Sequence, residues 1–254
     1  MKRFAGKNVL ITGASAGVGQ ATAIRFIAEG ATVFGLGRNP SGLQETAEHV
    51  DEAARFGTHH VDMLDDSSIV EGVRAAAGFL DNRIDIVCNV AGVSLGTPID
   101  AFDPDLAQDI SQINFVGPLR LINQALPFMP DNSAIINICS NAATQAAPTM
   151  AAYAGSKAAL VSASLTLAVE LAPRRIRVVP ISPSGVQTKM MWDIWEQIKD
   201  YEGDWYSRFI HLWGQEESGD AADIAGFIAF AASDEAVYWN GAEIRIDGGA
   251  RASM

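Results

Sequence analysis

The chain has 254 residues, 48% of them hydrophobic and 19% charged, the make-up of a soluble globular protein long enough to bury a sizeable core. Its formal net charge of −12 argues against nucleic acid or an anionic membrane as a general partner, so any anionic ligand must be held by local donors against a repulsive field. The two cysteines, Cys88 and Cys139, have no metal-ligand spacing and each ends an apolar run, which predicts a reduced, buried pair.

The first element is an apolar strand over 8–12, reached without the apolar stretch of a signal peptide. It runs into Thr12-Gly13-Ala14-Ser15-Ala16-Gly17-Val18-Gly19 and a helix over 17–29. Gly13 permits a sharp turn, Gly17 lets backbone amides approach a ligand, and Gly19 lets helix pack closely on strand. The free amides and positive dipole opening that helix suit a diphosphate. Gly13, Ser15, Ala16, Gly17, Val18 and Gly19 are therefore the predicted cradle of a dinucleotide.

A second strand over 32–36 ends in Gly37-Arg38. A carboxylate at this point would accept from the adenosine ribose and favour NAD, whereas the Arg38 guanidinium suits a 2′-phosphate and favours NADP(H). After a helix over 41–56, a third strand over 57–61 leads to Asp62 and Met63, an acceptor and a backbone donor for an adenine edge. His59 and His60 are neighbours in that strand and face opposite sides, so they do not form a metal pair. His49 and His211 have no evident partner.

A helix over 66–80 and a strand over 84–89 come next, then a long helical pattern over 104–129 with Asn114 and Pro118 four residues apart. Pro118 has no N–H, so within a helix the Asn114 carbonyl loses its partner and stays open to water, which predicts a hydrated kink. A strand over 134–139 precedes Ser140, and a helix over 151–172 carries Tyr153 and Lys157. Those two lie one turn apart on one face. An ammonium fixed beside a phenol favours the phenolate, so the pair predicts a lowered tyrosine pKa and proton exchange with a substrate oxygen near neutral pH.

A strand over 177–181 is followed by an irregular segment over 189–219 that holds Trp192, Trp195, Tyr201, Trp205, Tyr206, Phe209 and Trp213. Two readings stand side by side: helices whose aromatics pack on the sheet or a neighbouring subunit, and a lid over an apolar substrate pocket. A helix over 221–232 and a strand over 243–246 complete the series. No apolar run is expected to span a bilayer, and a cytoplasmic location follows. The β-α-β order predicts an α/β fold, a Rossmann-type doubly wound parallel sheet of about seven strands. No linker interrupts residues 1–254, so one domain is expected, with 189–219 as a helical lid insertion.

These residues closely resemble the classical short-chain dehydrogenase/reductase family. The likeness rests on Thr12 to Gly19, Asn89-Val90-Ala91-Gly92, Asn114, Ser140 thirteen residues before Tyr153, Lys157, Pro183 to Thr188, and Asp247-Gly248-Gly249. It implies an NAD(P)-dependent oxidoreductase acting on ketones or secondary alcohols, assembled as a homotetramer or homodimer. By the same likeness Tyr153 is general acid in reduction and general base in oxidation, and Ser140 donates to the substrate oxygen. Lys157 binds the nicotinamide ribose, and Asn114 holds a water that joins Lys157 to solvent. The resemblance also places Asn89, Ala91, Gly92, Pro183, Gly185, Val186 and Thr188 beside the cofactor.

Two departures stand out: Val90 replaces a second asparagine, and Ser184 follows Pro183 with Gly185 one place late. A cofactor-free lyase of the halohydrin dehalogenase type would replace the lysine with arginine and fill the phosphate turn. A non-catalytic NADP-binding interaction protein would lack the tyrosine or the lysine. Lys157 and the intact glycines speak against the first, and the complete set against the second.

Overall fold

Strands covered on both faces must be apolar on both faces, and the computed structural model, which describes residues 2–201 and 219–249, has seven strands, five almost wholly buried ones of that kind and two partly exposed edge strands. They are β1 (Asn8–Thr12), β2 (Thr32–Gly37), β3 (Phe56–His60), β4 (Ile86–Asn89), β5 (Ala134–Ile138), β6 (Arg177–Pro183) and β7 (Ile244–Ile246). All pair in parallel, in the order β3-β2-β1-β4-β5-β6-β7. The chain winds outward from β1 to β3 and then returns to lay β4 on the other side of β1. That reversal opens a crevice at the carboxyl ends of β1 and β4.

The helices are α1 (Gly17–Ala28), α2 (Pro40–Glu48), α3 (Asp66–Phe79), α4 (Pro104–Ser111), α5 (Gly117–Ala125), α6 (Ala151–Glu170), α7 (Lys189–Ile198) and α8 (Ala221–Ala232). Alternation along β1 sends Val9 and Ile11 to one layer, with Phe26 of α1 and Ile228 of α8. Leu10 faces the other layer, with Ile69 of α3 and Leu121 of α5. Fully buried side chains of this size contribute roughly 1.5–3 kcal/mol each to holding the layers together.

Three expectations need correction. The helix expected over 41–56 stops at Glu48, and a short 3-10 turn at Ala53–Arg55 follows. Phe56, expected to close that helix, is instead the first residue of β3 and pairs with Val33, so the chain must turn before it. The pattern over 104–129 holds α4 and α5 joined by a π-helical turn at Gln112–Val116, in which the Gly117 N–H reaches back to the Gln112 carbonyl. The Pro118 gap is thus absorbed as a wider turn within a continuous helix. Finally, α6 is long and apolar enough to cross a membrane by length and composition. Its alanine, leucine and valine content sets that average, yet Tyr153, Ser156, Lys157, Leu160, Ser164 and Ala168 form its buried face.

Of the expected lid, the first part is α7. Ile194 and Ile198 are buried there, with Trp195 packed beside them, while Trp192 and Tyr201 are exposed. Trp205, Tyr206, Phe209, His211 and Trp213 lie outside the described residues. Both cysteines are free and buried. Burial raises both thiol pKa values, that of Cys139 to about 12.

Candidate active site

Backbone builds the first wall of the crevice. Gly13 turns the chain out of β1 at a φ of +74°, and a Cβ there would stand 2.9 Å from the Ala91 nitrogen. At Gly19 an added Cβ would lie 2.1 Å from the Gly13 carbonyl oxygen, so only glycine lets α1 settle onto the turn. Thr12 Oγ1 accepts from the N–H groups of Val90 at 3.0 Å and Ala91 at 3.1 Å. That clamp acts on backbone, so the Val90 departure leaves the turn anchored. Helices α2, α3, α4, α7 and α8 each begin on a side-chain cap. By contrast α1 begins at Ala16 with none, and its first amides open on the cleft. An uncapped helix start in a glycine cradle fits a diphosphate.

At the end of β2, a Cβ on Gly37 would come within 3.0 Å of Ser15 Oγ and 3.2 Å of Leu43, which leaves no room for an acidic side chain. Asn39 is occupied in capping α2 through Ser41 and Gly42. Arg38 is exposed, lines the cleft and makes no ion pair among the described residues. Asp62 and Met63 line the same end, and Asp62 Oδ1 accepts from the Leu64 N–H at 3.0 Å.

The opposite end gathers Ser140, Tyr153 and Lys157. Ser140 Oγ accepts from the Ala142 N–H at 3.1 Å, which caps a short turn and leaves the hydroxyl proton free to donate. The same hydroxyl acts on the Tyr153 phenol and favours its ionised form. Lys157 Nζ donates to the Ile138 carbonyl at 2.8 Å and lies 5.9 Å from the centre of the Tyr153 ring.

The expected lowering of the tyrosine pKa does not hold in this state. Burial raises it, and the Ser140 hydrogen bond opposes that only in part. Burial also lowers Lys157. Both charged forms lose hydration in the interior, and that loss is the largest cause of each shift.

Asn89 and Asn114 are buried and do not line the cleft. Asn114 Oδ1 accepts from the Val93 N–H at 2.9 Å, and its Nδ2 donates to the Val93 carbonyl at 2.8 Å and to Ser156 Oγ at 3.1 Å. The π turn therefore clamps the chain that leaves β4 onto α6. Asn89 donates to Asn137, which donates to Ser164, a polar strut joining β4, β5 and α6.

The cleft measures about 690 Å³. Gly13, Ser15, Ala16, Gly17, Val18 and Gly19 form one side, and Ala91 and Gly92 lie at its floor. Pro183, Gly185, Val186 and Thr188 border it from β6, and Thr188 also caps α7 by accepting from the Met191 N–H. Sequence reasoning missed the far wall: Gln145, Ala147, Met150, Met190 and Ile194. The spacing of Met191, Ile194 and Ile198 marks an apolar helix face, but the stretch 141–149 has no periodic signal. No group of metal-ligating side chains occurs among the described residues.

The sequence profile of the short chain dehydrogenase family matches residues 7–199. The D-threitol dehydrogenase of Mycolicibacterium smegmatis is 33% identical over 251 residues, covering 97% of this chain and 94% of that protein. Among solved structures, the carveol dehydrogenase of Mycobacterium avium in complex with NAD superposes with a TM-score of 0.90 at 27% identity, covering 99% of this chain and 100% of that one. A short chain dehydrogenase of Burkholderia cenocepacia J2315 in complex with NADP gives 0.88 at 27% identity, covering 98% and 99%.

Proposed function

Because the chain belongs to the short-chain dehydrogenase family, an oxidoreductase acting on CH–OH groups, we propose that it interconverts a ketone and a secondary alcohol with NADP(H) preferred over NAD(H). The observation that carries this reading is the meeting of the Ser140 hydroxyl, the Tyr153 phenol and the Lys157 amine in the cleft onto which the uncapped start of α1 opens.

A nicotinamide held here supplies or accepts the hydride. The chain does the rest. The first amides of α1 hold the diphosphate, Arg38 meets a 2′-phosphate, and Lys157 donates to the ribose hydroxyls. Ser140 donates to the substrate oxygen and Tyr153 delivers its proton in reduction or removes it in oxidation. A phenol whose pKa is raised by burial stays protonated through neutral pH, which suits the acid role in reduction. The Asn114 carbonyl, to which Pro118 can offer no N–H, accepts from a water that relays protons to Lys157.

The lid expected over 189–219 starts with α7, which places Ile194 against Met150 and Tyr153. The protein works as a homotetramer or homodimer in the cytoplasm, with the exposed Leu165 and Val169 of α6 and Phe227 of α8 covered between copies. A panel of ketones and secondary alcohols assayed with NADPH/NADP and NADH/NAD in parallel tests the reading. Turnover with NADPH ahead of NADH is expected; no turnover of any pair with either cofactor overturns it.

A further inference from the structure

The far wall carries a feature that neither hydride nor proton transfer uses. Gln145 Oε1 is buried and has no hydrogen-bond partner, and Asn141 Oδ1 is in the same condition. Both residues line the cleft, and the Gln145 N–H bonds the Asn141 carbonyl at 2.9 Å, so they stand one turn apart immediately after Ser140. Asn141 spends its amide nitrogen on Asp247 at 3.2 Å. Around them the wall is apolar: Ala142, Ala146, Ala147, Met150 and Ile194.

A buried acceptor left without a donor is costly, because it has given up water and gained no partner. Two just beneath one wall leave acceptors there that a ligand's donor can satisfy once the Gln145 amide turns into the cleft. No charged side chain among the described residues lines this part of the cleft. Among the described residues the charged side chains on the cleft are Arg38, Asp62, Lys157 and Lys189. The first two sit at the β2–β3 end, Lys157 is bonded to Ile138, and Lys189 is paired with Asp193 at 2.7 Å.

Building on the proposed ketone–alcohol chemistry, we infer that the substrate is neutral and carries a second hydroxyl beyond the reacting carbon, whose O–H donates to Gln145 Oε1. The apolar surroundings take its hydrocarbon part. Gln145 is then a specificity residue: it rejects the analogue lacking that hydroxyl because the analogue leaves the acceptor unpaired.

The test compares cyclohexane-1,2-diol with cyclohexanol in the intact protein and in the Gln145→Met and Gln145→Glu variants. Binding is measured by NMR on protein with NADPH, with which an alcohol cannot react, and kcat/KM is measured with NADP. Wild type should favour the diol by about tenfold in both readouts, the equivalent of roughly 1.4 kcal/mol. Gln145→Met should abolish that preference, and Gln145→Glu, which keeps an acceptor, should retain it. An equal response of wild type to the two compounds, or an unchanged preference in Gln145→Met, overturns the inference. Loss of turnover alone, with the binding preference present and sensitive to Gln145→Met, would instead overturn the dehydrogenase reading and leave the hydroxyl subsite standing.

Discussion

Where β1 meets α1 the cleft wall is backbone: glycines whose Cβ atoms would collide with Ala91 and with Gly13 itself, and amides that no side chain caps. Across from it, between Ser140 and Met150 and along α7, the wall is side chain: a hydroxyl, a phenol, an amide oxygen and an apolar lining. Backbone contacts bind what all dinucleotides share, the diphosphate. Side chains choose what differs between reactions. The two walls should therefore fail differently when altered.

Among changes in cofactor binding and stability, the largest effect is expected from Ala16→Asp. A carboxylate at the start of α1 caps the helix from within, as Asn39 does for α2, and occupies the place of the diphosphate. Dinucleotide affinity should fall about 100-fold, near the upper end for losing a charge-assisted hydrogen bond, while Tm rises by about 2–4 °C from the added cap. Calorimetry of ligand binding and thermal unfolding reads both; unchanged affinity would mean that the α1 amides are not the cradle.

A smaller effect is expected at Arg38, where the wall changes from backbone to side chain. Arg38→Ala should lower the ratio of NADPH to NADH in kcat/KM by about tenfold, the size of a charged hydrogen bond, with NADH little affected. An equal loss with both cofactors would move Arg38 from the 2′-phosphate to the adenine.

The smallest effect concerns Lys157 and its sign depends on pH. Burial depresses its folded pKa below the usual 10.5. Its favourable contribution to stability is thus fully present above 10.5 and is lost as pH falls through the depressed value. At neutral pH the buried amine opposes folding, so Lys157→Met should raise Tm by about 2–4 °C in the absence of ligand while impairing catalysis. The gain should shrink as pH climbs toward 10.5, and a gain independent of pH would count against a charged buried amine.

The backbone wall was largely legible in the sequence, because a strand running into spaced glycines and a helix has few geometric solutions. The same holds for β1 and α8, whose bounds match their apolar runs. What escaped depends on tertiary placement. Nothing in the helical period of 41–56 reveals that Phe56 is needed to pair with Val33. The π turn at Gln112–Val116 changes hydrogen-bond partners without a residue type that announces it, although Pro118 pointed to the place. The Tyr153–Lys157 pair was visible as a spacing, but its burial was not, and burial reverses the expected direction of the phenol pKa. Gln145 lies in an alanine-rich loop without period, so only the folded wall shows its unpaired oxygen.

The most direct measurement is Tyr153→Phe, assayed for ketone reduction and for NADPH binding on the same preparation. Removing one hydroxyl should lower kcat by about 10²–10⁴-fold, the usual span for a positioned acid, with NADPH affinity within about threefold and Tm close to wild type. Reduction at near wild-type rate with cofactor bound would contradict the assignment of Tyr153 as the proton donor.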